Sequence, residues 1–128
     1  MPGTVVPPST ELLRIPVLGR QWGRGQNGYG QAKPPTIFNG GDPTGLVDNI
    51  TWVTWGSDRA TGTGLGYFPR RTVADSTRER ATVVAFNLGT CGGVPMYQAV
   101  EWFFPQEGGS FDPNTYINIC TGEYVNRK

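Results

Sequence analysis

The chain has 128 residues, enough for one domain with a core of its own and too few for two. Its 19 glycines and 11 prolines indicate long loops, whereas 4 tryptophans, 5 tyrosines and 6 phenylalanines argue against a wholly disordered chain. A formal net charge of +1 gives no field to attract nucleic acid or an anionic membrane, and a chain without histidine lacks the usual general base of serine and cysteine hydrolases and the commonest ligand of catalytic zinc.

The N-terminal part of the chain, residues 1–34, is predicted to be a flexible segment rich in proline and glycine, ahead of a single β domain over residues 35–128. The opening MPGTVVPPST has neither the positive region nor the apolar run of a signal peptide. No stretch has the length and apolarity of a membrane span. We therefore expect that an exported form of this chain has already lost its leader.

Two features of the N-terminal segment leave its placement open. The apolar run 12–19 is either a short edge strand interrupted by Pro16 or a sticky segment that docks on a folded domain. Residues 20–36 predict a long glycine-rich loop with two exposed aromatic residues, Trp22 and Tyr29. Both stretches pack either on their own domain or on a partner.

Five strands are predicted in the β domain from two-residue alternation and from β-branched and aromatic residues. They cover residues 46–55, 61–68, 81–88, 94–104 and 115–120. The stretch VADSTRERA, residues 73–81, predicts a single helical turn capped by Asp75. The predicted class is all-β: a small antiparallel β-sandwich or a partly open barrel with the Gly/Pro-rich segment at its N-terminus and one disulfide.

Glycine occupies every second position of the second predicted strand, at Gly62, Gly64 and Gly66, so one face of that strand lacks side chains. The bare positions form a flat trough roughly 13 Å long at about 3.3 Å per residue. We expect the indole of Trp52 or Trp55 from the preceding strand to fill it, which makes the pattern a packing device. The alternative is that the trough and its tryptophans stay open and bind a flat ligand such as a sugar ring.

The two cysteines, Cys91 and Cys120, either form a disulfide or remain buried free thiols of a cytosolic protein. The low charge content and the strands rich in glycine, threonine and aromatic residues are typical of exported domains and favour the disulfide. The closed loop of about 30 residues would then stabilise the fold by roughly 3 to 4 kcal/mol in the chain-entropy estimate.

The element W-x-x-W-G…A-T-G-T-G in TWVTWGSDRATGTG, together with ATVVAFNLGTCGGVPMYQAVEWFFP and NICTG, carries a resemblance to a known family. Residues 35–122 resemble small exported proteins of actinobacteria, mycobacteria included, for which no activity is established. The matching positions are Trp52, Trp55, Gly56, Ala60, Thr61, Gly62, Thr63 and Gly64. The resemblance implies export, a disulfide and a β domain, and it implies no reaction. Residues 69–80, PRRTVADSTRER, stand where the family has a second cysteine-bearing loop, which weakens what the resemblance implies there.

Aromatic and arginine side chains are the candidate ligand contacts of the chain. Exposed rings would stack on sugars, and clustered arginines would grip phosphate or an acidic glycan, although the arginine-rich stretch also fits a solvated connection of mixed charge. The six candidates are Trp22, Tyr29, Trp52, Trp55, Arg70 and Arg71. The stretch GRGQNG fits G-x-G-x-x-G, but no βαβ unit surrounds it, so we interpret it as a flexible loop.

Carboxylates are the remaining catalytic candidates in a chain without histidine. They are Asp48, Asp58, Asp75, Glu79, Glu101, Glu107 and Asp112. A glycosidase needs two carboxylates facing each other across a cleft, about 5 to 9.5 Å apart, and no spacing along this chain predicts such a pair. Glu101 stands out because it lies in a strand between Val100 and Trp102, where it points either outward or into an apolar setting. We expect no catalytic residue and no enzyme.

These patterns favour a secreted or envelope-associated binding module whose ligand is a cell-wall polysaccharide or an envelope protein. The alternative is a structural or scaffold protein of the envelope without a small-molecule ligand, and a carboxylate-based hydrolase comes last. Exposed coplanar rings would favour sugar binding, whereas burial of all the rings would favour the scaffold. We expect no metal, no cofactor, no nucleic-acid partner and no membrane span, and the sequence leaves strand order and oligomeric state open.

Overall fold

The described part of the chain consists mainly of β-strands and loops. The structure is a computed structural model that describes residues 15–126, apart from the side chain of Val73. Its strands are β1 (Val17–Leu18), β2 (Ile37–Phe38), β3 (Leu46–Trp52), β4 (Ala60–Phe68), β5 (Thr77–Cys91), β6 (Val94–Phe103), β7 (Tyr116–Ile117) and β8 (Tyr124–Val125). Short 3-10 turns lie at Pro43–Gly45, Val73–Asp75 and Pro105–Glu107. Within residues 15–126, no helix is long and apolar enough to cross a membrane.

Six of the strands form one sheet in the order β1-β6-β5-β4-β3-β2, which curls into a half-barrel. β1 runs parallel to β6, and the other neighbours are antiparallel. β7 and β8 form a separate two-stranded sheet. The predicted all-β class with a partly open barrel is therefore confirmed.

The N-terminal segment closes the open side of the half-barrel, between the edge strands β1 and β2. The N–H of Leu18 in β1 donates to the carbonyl of Gln31 at 2.8 Å, and the carbonyl of Leu18 accepts from the N–H of Gly30 at 2.7 Å. Asn27 exchanges two backbone hydrogen bonds, of 3.0 and 2.9 Å, with Phe38 in β2. The backbone between Asn27 and Gln31 thus links the two edges of the sheet.

The described part of the N-terminal segment, residues 15–34, therefore packs on the chain's own sheet. Leu18 is fully buried, and Tyr29, which the sequence predicted to be exposed, is 9% exposed. Both belong to the same core cluster as the central strands. Residues 1–14 lie outside the described residues, so their predicted flexibility stays a prediction.

Strand β5 begins earlier than its apolar residues indicate. Residues 77–80 pair with residues 65–68 of β4, so that Thr77 lies opposite Phe68. The helical turn predicted over residues 73–81 is limited to the 3-10 turn Val73–Asp75, because the polar residues that follow extend the ladder with β4.

Two predicted strands are shorter in the structure. The strand predicted over residues 46–55 ends at Trp52, after which the N–H groups of Val53 and Thr54 both donate to the carbonyl of Thr61. The strand predicted over 115–120 is reduced to β7, and the chain then joins β6 through a single bridge between Asn118 and Ala99.

The glycine face of β4 is filled from three directions. A Cβ placed on Gly62 would lie 3.1 Å from Cε3 of Trp52, and one on Gly66 would lie 3.2 Å from Cζ of Phe104. Gly64, between them, lies against the backbone and side chains of β3. The trough is thus part of the core, and Trp52 covers one end of it.

The disulfide Cys91–Cys120 is present, with its Cα atoms 6.1 Å apart, which confirms that prediction. Cys91 ends β5, and Gly92 and Gly93 then make a two-residue turn into β6 with φ angles of +60° and +81°. Both central residues of a type I′ hairpin need a positive φ, which glycine adopts without strain. The disulfide therefore ties the tip of this hairpin to the C-terminal part of the chain.

Candidate functional site

The two tryptophans of the W-x-x-W element hold the N-terminal segment. The indole N–H of Trp52 donates to the carbonyl of Pro34 at 2.8 Å, and that of Trp55 donates to the carbonyl of Pro16 at 2.8 Å. Their rings meet edge to face with centroids 4.8 Å apart, and Trp55 packs in the same manner on Tyr97 at 5.1 Å. Both rings are half-buried and nearly perpendicular, so they do not form a coplanar stacking platform.

Trp22 and Tyr29 form a second aromatic pair inside the N-terminal segment. Their ring centroids are 6.2 Å apart at an interplanar angle of 60°. The hydroxyl of Tyr29 donates to Oδ1 of Asn39, and burial raises the pKa of Tyr29, so the phenol stays neutral. Trp22 is half-buried and packs over Gly122. This pair closes the fold rather than presenting open rings to solvent.

Arg70 is engaged by two carboxylates. Its Nη2 lies 2.6 Å from Glu79 and 2.8 Å from Glu107, and its guanidinium carbon lies 4.6 Å from the centre of the Phe68 ring. Arg71 is exposed and makes no ion pair with the described residues. Both arginines line one open cavity of about 660 Å³, together with Phe68, Pro69, Asp75 and Thr77, and within it the charge of Arg70 is already balanced by two carboxylates.

Two of the carboxylates predicted as catalytic candidates, Glu79 and Glu107, are the ion-pair partners of Arg70. Glu79 and Glu107 flank the guanidinium of Arg70 instead of facing each other across a cleft. The hydrogen bond from the hydroxyl of Thr77, followed by weaker contributions that include the charge of Arg70, lowers the pKa of Glu79. A carboxylate with a lowered pKa is poorly suited to donate a proton, so Glu79 is a poor candidate for a general acid.

A cavity of about 350 Å³ opens between the β3–β4 loop, the middle of β5 and the loop before β7. It is lined by Asp58, Arg59, Phe86, Asn87, Leu88 and Pro113. None of the six predicted ligand contacts lines it. We call it the Asp58–Arg59 cavity, and its volume falls within the range of small-molecule sites, roughly 300 to 1,000 Å³.

Tyr97 fixes the loop that carries the charged residues of this cavity. Its side chain is fully buried, and its hydroxyl accepts from the N–H of Gly56 at 2.8 Å and donates to the carbonyl of Ser57 at 2.5 Å. Burial raises the pKa of Tyr97, so the phenol keeps the proton that it donates. The loop is therefore anchored immediately before Asp58.

An aromatic cluster on the face of the sheet opposite to Tyr97 positions Arg59, the second charged residue of the cavity. Phe86 of β5 meets Phe111 and Tyr116 edge to face, with centroids 4.9 and 5.3 Å apart. The guanidinium carbon of Arg59 lies 4.5 Å from the centre of the Phe111 ring. Stacking on an aromatic ring holds a guanidinium without using its N–H donors, which stay available to a ligand.

Asn87 brings three consecutive residues of β5 to the cavity. Its φ of +57° lies in the left-handed region, so the alternation of side chains between the two faces is interrupted there. Phe86, Asn87 and Leu88 consequently all line the cavity, where a regular strand would direct neighbours to opposite faces.

Three polar side chains of this cavity have no hydrogen-bond or ion-pair partner among the described residues. Within residues 15–126, the carboxylate of Asp58, the guanidinium of Arg59 and the side-chain amide of Asn87 make no hydrogen bond or ion pair. All three residues are exposed, and the two opposite charges balance each other. The cavity can therefore both accept and donate hydrogen bonds without a strong net charge.

No pattern in the sequence predicted this site. Its residues come from three distant parts of the chain. The local signals are the adjacent charges of Asp58 and Arg59, between the first two predicted strands, and the asparagine that interrupts a β-branched run. Asparagine tolerates a positive φ better than most residues, so an Asn inside a predicted strand is a usable indication of such an interruption.

Comparison with known proteins finds no matching family model, no matching curated protein and no matching solved structure. The interpretation of the site consequently depends on its own geometry.

Proposed function

We propose that this domain is a binding module that holds a neutral, hydroxyl-rich ligand, a unit of a cell-envelope glycan, in the Asp58–Arg59 cavity. The observation that carries the proposal is the convergence of a carboxylate, a guanidinium and an amide on one cavity of about 350 Å³, each without a hydrogen bond or an ion pair among the described residues. Sites for small molecules typically combine apolar walls with a few convergent polar groups.

The chemistry of the lining fits a sugar ring better than an ionic ligand. The carboxylate of Asp58 accepts hydrogen bonds from hydroxyl groups, the guanidinium of Arg59 donates them, and the amide of Asn87 does both. Leu88 and Pro113 offer apolar surface to the C–H groups of the ring. Because the charges of Asp58 and Arg59 cancel, a phosphate or a strongly acidic glycan gains little net attraction.

We propose an extracellular or envelope location, which fits this function. The protein has the disulfide Cys91–Cys120, and disulfides persist mainly in oxidising compartments. The resemblance to exported actinobacterial proteins points the same way, and envelope glycans are the polysaccharides that a protein meets there.

A scaffold role without a small-molecule ligand is the second candidate function. The observation that favours it is the internal use of Trp52, Trp55 and Tyr29, whose polar groups all bond within the chain. Under this alternative the Asp58–Arg59 cavity would take no glycan at all.

Isothermal titration calorimetry against peptidoglycan fragments and arabinogalactan tests the proposal. We expect saturable heat with at least one glycan and a loss of at least tenfold in affinity for Asp58→Ala and for Asn87→Gly. Glycine keeps the left-handed backbone that Asn87 adopts, so the second variant removes the amide without strain.

Arg71→Ala is the matched control, since this exposed arginine does not line the cavity and makes no ion pair with the described residues. We expect it to bind as the wild type does. Absence of heat with every glycan would overturn the glycan proposal in favour of the scaffold, and binding that survives both cavity variants would show that the glycan binds elsewhere.

A further inference from the structure

Residues 111–113 reach the Asp58–Arg59 cavity from the loop between β6 and β7. Pro113 lines the cavity directly. Phe111 does not line it, but the centre of its ring lies 4.5 Å from the guanidinium carbon of Arg59. The position of this short segment therefore determines one wall of the cavity and the place of its guanidinium group.

Two side chains of the sheet contact this segment. The ring of Phe86 in β5 packs edge to face against Phe111, with centroids 4.9 Å apart. In β6, Oε1 of Glu101 accepts a hydrogen bond of 2.5 Å from the backbone N–H of Asp112. Glu101 lies opposite Val84, two positions from Phe86 along β5, so both contacts lie on the same face of the sheet.

The bond to Glu101 is a directional contact between the segment and the sheet. Within the described part of the chain, residues 110–113 make no other hydrogen bond to the six-stranded sheet. Oδ1 of Asp112 accepts the N–H of Asn114 inside the loop, and the carbonyl of Asn114 accepts the side-chain amide of Asn126. A hydrogen bond to an ionised group is roughly twice as strong as a neutral one. Removing the carboxylate of Glu101 would therefore leave the segment less precisely placed.

Glu101 has no cation to balance it. Among residues 15–126, no arginine or lysine pairs with it and its Oε2 accepts no hydrogen bond, whereas Asp48, Glu79 and Glu107 all pair with arginines. Glu101 is half-buried, and a carboxylate is costly to remove from water. A neutral side chain would avoid this cost, so stability alone does not account for the carboxylate.

We propose that Glu101 is a positioning residue for glycan binding in the Asp58–Arg59 cavity. By holding the N–H of Asp112, it keeps the ring of Phe111 beneath the guanidinium of Arg59. Groups that are fixed before a ligand arrives need not be ordered when it binds, which favours affinity. This inference rests on the proposed glycan site, but the placement of Arg59 is measurable without any glycan.

The δ-methylene proton resonances of Arg59, recorded by NMR without glycan, test the placement, because the ring current of Phe111 shifts nuclei over its face. Phe111→Leu gives their value without the ring. Glu101→Met keeps the length of the side chain but removes the oxygen acceptors, and we expect it to move the resonances towards the Phe111→Leu value. Glu101→Gln keeps an oxygen for the N–H of Asp112 and should restore the wild-type shift. Unchanged resonances in Glu101→Met would overturn the proposal.

Calorimetric titration with peptidoglycan fragments and arabinogalactan then tests the effect on binding. For a glycan that binds the wild type, we expect at least fivefold weaker binding by Glu101→Met and affinity within twofold of the wild type for Glu101→Gln. Glu79→Met is the matched control, because it removes a carboxylate of β5 that pairs with Arg70 and does not line the cavity. We expect it to bind as the wild type does.

The outcomes separate this proposal from the glycan site on which it rests. Binding by the wild type together with equal affinity of Glu101→Met overturns the positioning role alone. An equal loss of affinity in Glu79→Met, or a loss in Glu101→Met that glutamine does not restore, also overturns it, since neither depends on the acceptor for the loop. Absence of heat from the wild type overturns the glycan site, and the role of Glu101 in glycan binding with it.

Discussion

The indole N–H of Trp55 donates a hydrogen bond of 2.8 Å to the carbonyl of Pro16, 39 positions earlier in the chain. The indole N–H of Trp52 donates in the same way to the carbonyl of Pro34. The two indoles therefore bond to both ends of residues 16–34, the stretch that closes the half-barrel. The W-x-x-W spacing therefore has a structural reason. Trp52 ends β3 and Trp55 lies in the loop that follows, so both indole N–H groups reach backbone carbonyls of the N-terminal segment.

Replacing Trp55 by phenylalanine tests this closure. The ring is largely kept, but the buried carbonyl of Pro16 loses its donor, and an unsatisfied buried polar group costs about 1 to 3 kcal/mol. We expect urea denaturation to show a loss of that size, and hydrogen exchange to show faster exchange of the Leu18 amide, which bonds to Gln31 in the same closure.

Trp102→Phe is the control for the change in ring size, because the indole N–H of Trp102 makes no hydrogen bond with the described residues. We expect it to be less destabilising than Trp55→Phe and to leave the exchange of the Leu18 amide unchanged. Equal losses in the two variants would show that packing alone, and not the hydrogen bond to Pro16, accounts for the effect.

Gly64→Val is expected to destabilise the domain by about 1 to 3 kcal/mol. A Cβ at this position would lie 2.6 Å from the carbonyl oxygen of Asp48 and 3.0 Å from Cγ1 of Ile50, so backbone as well as side chain would have to move. Thermal and urea denaturation measure the loss. Gly23→Ala is the control, since its Cβ would meet nothing closer than 3.5 Å, and a wild-type melting curve for Gly64→Val would contradict the packing of the trough.

Much of the sheet could be predicted from the sequence because its signals are local. Two-residue alternation predicted β3, β-branched and aromatic residues predicted β5, and glycine at alternate positions predicted the buried face of β4. The start of β5 was predicted too late because residues 77–80 are polar, and their pairing with β4 is a tertiary contact that no local pattern reveals.

The candidate site could not be predicted for a related reason. Aromatic residues are equally suited to stacking on a sugar and to bonding within the chain, and Trp52 and Trp55 are committed to the second role by prolines that lie far away in sequence. The Asp58–Arg59 cavity likewise depends on the positive φ of Asn87 and on the buried hydroxyl of Tyr97, which hold its parts together across the fold.

Removing the disulfide with the double variant Cys91→Ser and Cys120→Ser is expected to lower stability by about 3 to 4 kcal/mol, since the closed loop of about 30 residues then gains freedom in the unfolded chain. Urea denaturation under non-oxidising conditions measures the change. A reducing agent should destabilise the wild type by a similar amount and leave the double variant unaffected. A reduced wild type as stable as the oxidised one would contradict this expectation.

The stability of the Glu101→Gln variant, relative to that of the wild type, is expected to increase as the pH rises. Because burial raises the pKa of Glu101, the folded protein holds this proton more tightly than the unfolded chain does. The contribution of protonated Glu101 to the stability of the wild type is therefore greatest below the ordinary pKa of about 4.3, and it is lost as the pH rises through the raised pKa. Glutamine does not titrate, and it keeps an oxygen for the N–H of Asp112. The melting temperature of the variant minus that of the wild type should therefore be larger at about pH 7 than at about pH 3.5.

Glu123→Gln is the control for this pH series, because the side chain it replaces is exposed, and its melting temperature should follow that of the wild type. A pH-independent difference between Glu101→Gln and the wild type would mean that burial does not penalise this carboxylate.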